Sequence, residues 1–133
     1  MLTKIDFCDY ETCVALKELG YVGSRQECEC FGAYFNFGKD MFTDSLDNTE
    51  VGTNEYLRVP LYLAQKWMRE EKNIHIEIPI WLTDDGMWKY NFRIQTKEFY
   101  DRAIGEWDTY EEALLEGVKS AVKILKNGLD SKR

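Results

Sequence analysis

Two runs of alternating residues, joined by a short polar turn, constrain this chain more than any other feature. In the first, IHIEIPIWL, Ile74, Ile76, Ile78, Ile80 and Leu82 alternate with His75, Glu77, Pro79 and Trp81. After Thr83-Asp84-Asp85-Gly86 a second run sets Trp88, Tyr90, Phe92 and Ile94 against Lys89, Asn91, Arg93 and Gln95. A repeat of two is the period of a strand with one buried face. Turn length then fixes the pairing. A two-residue Asp85-Gly86 turn would send the isoleucines and the aromatics to opposite faces. A three-residue loop with Gly86 left-handed pairs Thr83 with Met87 and keeps both apolar sets together. That register predicts Ile78 opposite Phe92, Ile80 opposite Tyr90 and Glu77 opposite Arg93. Pro79 cannot donate a ladder hydrogen bond, so its strand has an edge or a bulge there.

The segments around this hairpin follow the helical period. Asp9 to Leu19 reads as a helix closed by Gly20, which can adopt the left-handed conformation, with Tyr21 folding back on the last turn. A second helix is predicted from Pro60, a residue suited to a first helical position. Its stripe is Leu63, Ala64, Trp67 and Met68, with Gln65, Lys66, Arg69 and Glu70 on the wet side. The third begins at Thr109, whose spacing to Glu112 is that of a capping box. Tyr110, Ala113, Leu114, Gly117, Val118, Ala121, Val122 and Leu125 form its apolar face. Gly117 and the two alanines on that face allow close approach to a sheet. One more strand is predicted at Cys30 to Phe37, where Phe31, Ala33, Phe35 and Phe37 alternate. The expectation is α+β: an antiparallel sheet of about three or more strands, helices on one face, in the order α-β-α-β-β-α.

Length and composition bound the rest. The 133 residues, 44% hydrophobic and 14% aromatic, fit a single globular domain over 1–133 with enough material for a core. Residues 38–54, rich in Asp, Asn, Thr and Gly, are loop-like. No apolar run approaches the ~20 residues that span a bilayer. The early sequence MLTKIDFCDYETC is not a secretory signal, so a cytoplasmic location with reduced thiols is expected. With 24 acidic and 17 basic residues the net charge is −7, which disfavours nucleic acid as a partner.

No catalytic, cofactor or metal site emerges from spacing. Zinc requires four converging ligands, usually as two close pairs. Cys8 and Cys13, if both helical, would lie about 140° apart around the axis. Cys28 and Cys30 flank a single residue at the entry to the predicted strand, where small apolar thiols suit packing. His75 is the only histidine, beside Glu77 and across from Gln95; no nucleophile or third group accompanies it. There is no phosphate-binding glycine loop. The candidate interaction surface is the hairpin side bearing His75, Glu77, Trp81, Lys89 and Arg93, with Trp81 the aromatic expected to face outward. A cover from the segment Phe99 to Trp107 is the competing expectation there. The strand edge at Pro79 also admits a homodimer by strand pairing.

Three stretches in order resemble a family of small uncharacterised proteins encoded by phages, prophages and integrative elements of gut anaerobic bacteria. They are CVALKELGY with CFGAYF, PLYLAQKWMREEKNIHIEI and TYEEALLEGVKSAVKIL. Ala64, Trp67, Arg69, Glu70, Ile74, Ile76 and the run Tyr110-Glu111-Glu112-Ala113 carry the likeness. The resemblance implies no catalytic residue or cofactor. It implies a setting, in which a small acidic protein acts as a non-catalytic accessory or interaction protein. An acidic inhibitor or DNA mimic of a host nucleic-acid-binding protein is the alternative, with Asp44, Asp47, Glu50 and Glu55 as its candidate surface.

Overall fold

The computed structural model describes residues 4–22, 33–35, 40–41, 55–98, 100–103 and 105–131. The fold is α+β, with the expected order of helices and hairpin strands and additional short strands between them. The elements are α1 (Tyr10–Glu18), β1 (Ala33–Phe35), β2 (Asp40–Met41), β3 (Glu55–Leu57), α2 (Leu61–Glu71), β4 (His75–Glu77), β5 (Ile80–Leu82), β6 (Trp88–Tyr90), β7 (Arg93–Gln95), β8 (Tyr100–Arg102) and α3 (Tyr110–Ser131). They fall into two compact units, Phe7–Pro60 and a second made of Met1–Asp6 with Leu61–Arg133. Cys28, Cys30, Phe31 and Phe37 lie outside the described residues, as does most of 38–54.

In the first unit α1 packs on β3, and the sheet has the order β2-β1-β3, all antiparallel. Asp9 caps α1 by accepting from the Thr12 N–H at 2.9 Å. The helix closes as the sequence suggests. Gly20 is left-handed at φ 101°, its N–H returns to Lys17 O at 3.1 Å, and the Tyr21 N–H reaches Leu16 O at 2.9 Å. That pair of bonds satisfies two of the carbonyls a helix end leaves open, and it buries Tyr21.

The core of this unit holds Cys8, Cys13, Leu16, Leu57 and Val59, none more than 1% exposed. Here one expectation is corrected. Cys8 precedes the helix cap and is not helical, so Cys13 is not turned away from it. The Cys13 thiol donates to Cys8 O at 3.8 Å and accepts from the Val59 N–H at 3.5 Å. The Cys8 thiol is held well above its ordinary pKa, first by its hydrogen bond with Cys13 and then by burial. Both residues are thiols and not a disulfide. Since the thiolate is the reactive form, these are packing groups. The native chain should therefore protect Cys8 and Cys13 from alkylation until it unfolds. Peptide mapping after a short iodoacetamide pulse checks this, and rapid native labelling of either would contradict it.

In the second unit β7 is central, between β4 and β8, while β5 pairs with β6. Helix α2 lies against β4 and α3, and α3 lies against β4 and β7. Leu63, Ala64 and Met68 of the predicted α2 stripe are buried, with Trp67 half-buried. Gln65, assigned to the wet side, instead donates to Ile76 O at 2.8 Å and ties the helix to β4. Asn73, left-handed at φ 57°, turns the chain out of α2, and the Ile74 N–H returns to Met68 O at 2.9 Å. Asn tolerates that conformation better than most residues.

Half of the expected capping box of α3 is present, with the Glu112 carboxylate meeting the Thr109 hydroxyl in place of its backbone N–H. The Glu112 N–H donates to Thr109 Oγ1 at 3.1 Å, and that hydroxyl donates to Glu112 Oε1 at 2.9 Å. Deeper in α3, Ala113, Val118 and Ala121 are fully buried, and Gly117 sits directly over the sheet. A Cβ on Gly117 would lie 2.7 Å from Ile76 Cγ2 and 3.3 Å from Phe92 Cβ. Ile76 is β-branched and stiff, and the Phe92 Cβ is fixed to the backbone between β6 and β7, so neither can swing away cheaply.

Gly117→Ala opposes two effects. Alanine improves helix propensity by about 1 kcal/mol, whereas overpacking a tight core costs about 1–3 kcal/mol. We expect a net loss, larger for Gly117→Val. Gly128→Ala in the same helix meets nothing within 4 Å and should raise stability. Urea unfolding of the three variants measures the contrast; a Gly117→Ala protein more stable than wild type would contradict the close approach.

Candidate interaction surface

The hairpin adopts the register that a three-residue loop demands. Ile76 faces Ile94, Glu77 faces Arg93, Ile80 faces Tyr90, Trp81 faces Lys89 and Leu82 faces Trp88. The Thr83 N–H bonds Met87 O at 2.8 Å, the Gly86 N–H bonds Thr83 O at 3.0 Å, and Gly86 is left-handed at φ 84°. The ladder breaks at Ile78-Pro79, as the missing proline N–H requires. Pro79 still accepts from the Asn91 N–H at 3.0 Å, which keeps the two halves in register.

Asn91, read from the sequence as an outward polar residue, is only 4% exposed. Its amide donates to Ala103 O at 3.1 Å and to Gly105 O at 2.8 Å, and its side-chain oxygen accepts from the Phe92 N–H. Two residues on, Trp107 exchanges backbone bonds with Tyr90 at 2.9 and 2.8 Å. The stretch after β8 thus runs along the β6 edge, and the Trp107 ring rests on Phe92 at 5.4 Å. Nothing in the alternating pattern marks Asn91, since its partners are carbonyls of a distant segment.

The two faces of the hairpin do not behave as the alternation alone implies. Near the base, Ile76, Ile94 and Phe92 are buried as expected. From the Ile80–Tyr90 pair onward the same stripe emerges into solvent: Ile80 is 53% exposed, Leu82 56% and Trp88 55%. The cause is the starting point of α3. Its first residue, Tyr110, meets Tyr90 edge-on at 6.3 Å, so the helix covers the sheet up to that pair. The hairpin continues past it as the separate β5-β6 pair. The expectation that the isoleucine stripe is inward along its full length is therefore corrected at Ile80 and Leu82. The outward tryptophan of the hairpin is Trp88; Trp81, on the other face, is half-buried.

His75, Glu77, Trp81, Lys89 and Arg93 do share one side of the ladder, in two groups separated by the break at Pro79. At the base, Arg93 Nη2 donates to Glu77 Oε2 at 2.8 Å, and the guanidinium lies 5.8 Å from the Tyr100 ring centroid. His75 is exposed and opens onto a groove of about 690 Å³ with Arg69, Asn73, Gln95 and Lys97. No described hydrogen bond joins His75 to a carboxylate, and Glu77 is committed to Arg93. At the tip, Lys89 pairs with Asp108.

Among the described residues no cluster of three or more His, Cys, Asp or Glu side chains could hold a metal ion. Nor is any helix among them long and apolar enough to cross a membrane. Comparison of the chain with protein-family models, curated proteins and solved structures gives no match.

Two charged groups at the tip have shifted affinities for protons. The Thr83 hydroxyl donates to the Asp85 carboxylate and holds its pKa below the ordinary value. The hydrogen bond from Lys89 to Asp108, and then the charges of Asp108, Glu106 and Asp85, hold the Lys89 pKa above its ordinary value. A lowered carboxyl pKa stabilises the fold above the unfolded value and loses that contribution as pH falls through the folded one. A raised lysine pKa contributes fully below the unfolded value and is lost as pH rises through the folded one. Both windows lie far from neutrality, so the tip keeps its charges there. Asp108→Asn should bring the Lys89 titration back toward the ordinary lysine value, read by NMR of its side-chain methylene signals. An unmoved titration would show that the pair does not form in solution.

Proposed function

We propose that this chain is a non-catalytic interaction module that binds another protein through the bare apolar end of its hairpin. The observation that supports this reading is the exposure of Ile80, Leu82 and Trp88, each above half, together on one face at the end of a hairpin whose base is buried. Burying one such side chain contributes about 1.5–3 kcal/mol, so three adjacent ones favour a partner. Single exposed apolar residues are ordinary, whereas a contiguous group on a rigid element marks a binding surface. The reading moves the surface from Trp81 to the opposite face, around Trp88. Reduced, buried Cys8 and Cys13 suit a cytoplasmic setting, and the likeness to mobile-element proteins suits an accessory role.

The acidic-mimic alternative rests on the net charge of −7. Of its four candidates, Asp44, Asp47 and Glu50 lie outside the described residues and Glu55 is described in its backbone alone, so the hairpin carries the better-supported surface.

Site-specific photo-crosslinking tests the reading directly. A crosslinker placed at Ile80 should capture a discrete protein in the native host, and one at Lys66 on the exposed side of α2 should not. The capture should disappear in Leu82→Asp, with circular dichroism and the unfolding midpoint unchanged. Equal capture from both positions, or capture that survives Leu82→Asp, would overturn the proposal.

A further inference from the structure

The groove at the base of the hairpin gathers hydrogen-bond donors that the fold leaves unused. Gln65 and Arg69 stand four residues apart, on one face of α2. Gln65 donates to the Ile76 carbonyl, so that face of the helix meets the outer edge of β4. In an antiparallel ladder, alternate residues direct both backbone groups away from the partner strand. β4 is the edge strand of its sheet, and the Ile76 carbonyl points toward α2, so the Ile76 N–H points the same way. No described group accepts from that N–H.

The charges lining the groove are unbalanced in the same direction. Arg69 on α2 and Lys97 just past β7 are both exposed, and neither pairs with a described carboxylate. Glu77 also lines the groove, but Arg93 neutralises it at 2.8 Å. Glu70, Glu71 and Glu98 adjoin the two cations in sequence and do not line it. His75 and Gln95, paired across the ladder, bring side-chain N–H donors, and Asn73 brings its amide from the left-handed turn. A chain of net charge −7 thus holds two unpaired cations and several N–H donors around one concavity of about 690 Å³.

We infer that this groove binds a small phosphate monoester. Such a group carries about 1.5 to 2 negative charges at neutral pH and three strong acceptor oxygens. Arg69 and Lys97 match the charge, while the Ile76 N–H and the His75 ring supply further donors. A carboxylate, with one charge and two oxygens, would leave a cation unmatched. The volume falls within the range of small-ligand sites, about 300–1,000 Å³, so it admits a body as well as the phosphate. Asn73, Gln95 and Thr96 border that space with amides and a hydroxyl, which suits a hydroxylated body of the sugar class. A polymer of phosphates fits poorly, because the chain as a whole is acidic.

Titration of the full chain at constant pH, followed by NMR, tests this. Ribose 5-phosphate should shift the Ile76 amide, the His75 ring and the Arg69 and Gln95 side chains, and the shifts should saturate. Ribose alone should shift none of them, and inorganic phosphate should bind at the same place more weakly. Arg69→Gln and Lys97→Gln should each weaken ribose 5-phosphate about tenfold, with amide spectra unaltered elsewhere. Lys123→Gln on α3 should leave its binding unchanged. Inorganic phosphate binding as tightly as the ester would overturn the sugar-bearing ligand. A 5′-phosphorylated oligothymidylate binding more tightly than ribose 5-phosphate would make nucleic acid the ligand and overturn the inference. So would the same shifts from sodium chloride at matched ionic strength, or no saturable shift from the ester.

Discussion

The contact of Gly117 with Ile76 and Phe92 is the constraint on which the arrangement of α3 and the hairpin depends. A helix carrying a side chain there would have to stand off from the sheet, because its Cβ would fall 2.7 Å from Ile76 Cγ2. With glycine in place, Ala113, Val118 and Ala121 reach the strands and are fully buried. Dispersion falls off steeply with separation, so a shift of even part of an ångström along this seam would forfeit much of the packing. The glycine weakens the helix intrinsically and strengthens the layer it belongs to.

Fixing α3 at that point also fixes where its cover ends. The helix begins at Thr109, held by the reciprocal bonds with Glu112, and Tyr110 meets Tyr90. The strands do not stop there; they run on through Ile80, Leu82 and Trp88 to the turn. Asn91 bonds the carbonyls of Ala103 and Gly105, and Trp107 bridges Tyr90, so the β6 edge of this two-stranded sheet is paired at Tyr90. A rigid apolar surface loses little conformational entropy when a partner arrives.

Much of the fold was legible because local rules decided it. The Thr83-to-Gly86 turn set the register, the Gly20 and Thr109 signals set two helix ends, and the small residues of α3 announced its close approach. What was not legible depended on distances between segments. Alternation told which residues share a face, but the length of α3 relative to the strands decided how much of that face is covered. Hence Ile80 and Leu82 are exposed although their pattern matches that of Ile76. Asn91 and Gln65 look like solvent residues in sequence, yet both bond carbonyls of other segments. Cys8 and Cys13 meet because Cys8 stands one residue before the cap, a boundary that a helical wheel does not include.

The central claim is that cover of the hairpin stops at Tyr90. Paramagnetic relaxation by a neutral, soluble gadolinium chelate measures it in the isolated full-length chain. The account predicts strong relaxation of the Ile80, Leu82 and Met87 methyl groups and the Trp88 indole, with Ile76 and Ile94 protected. Protection of Trp88 and Leu82 equal to that of Ile94 would contradict it.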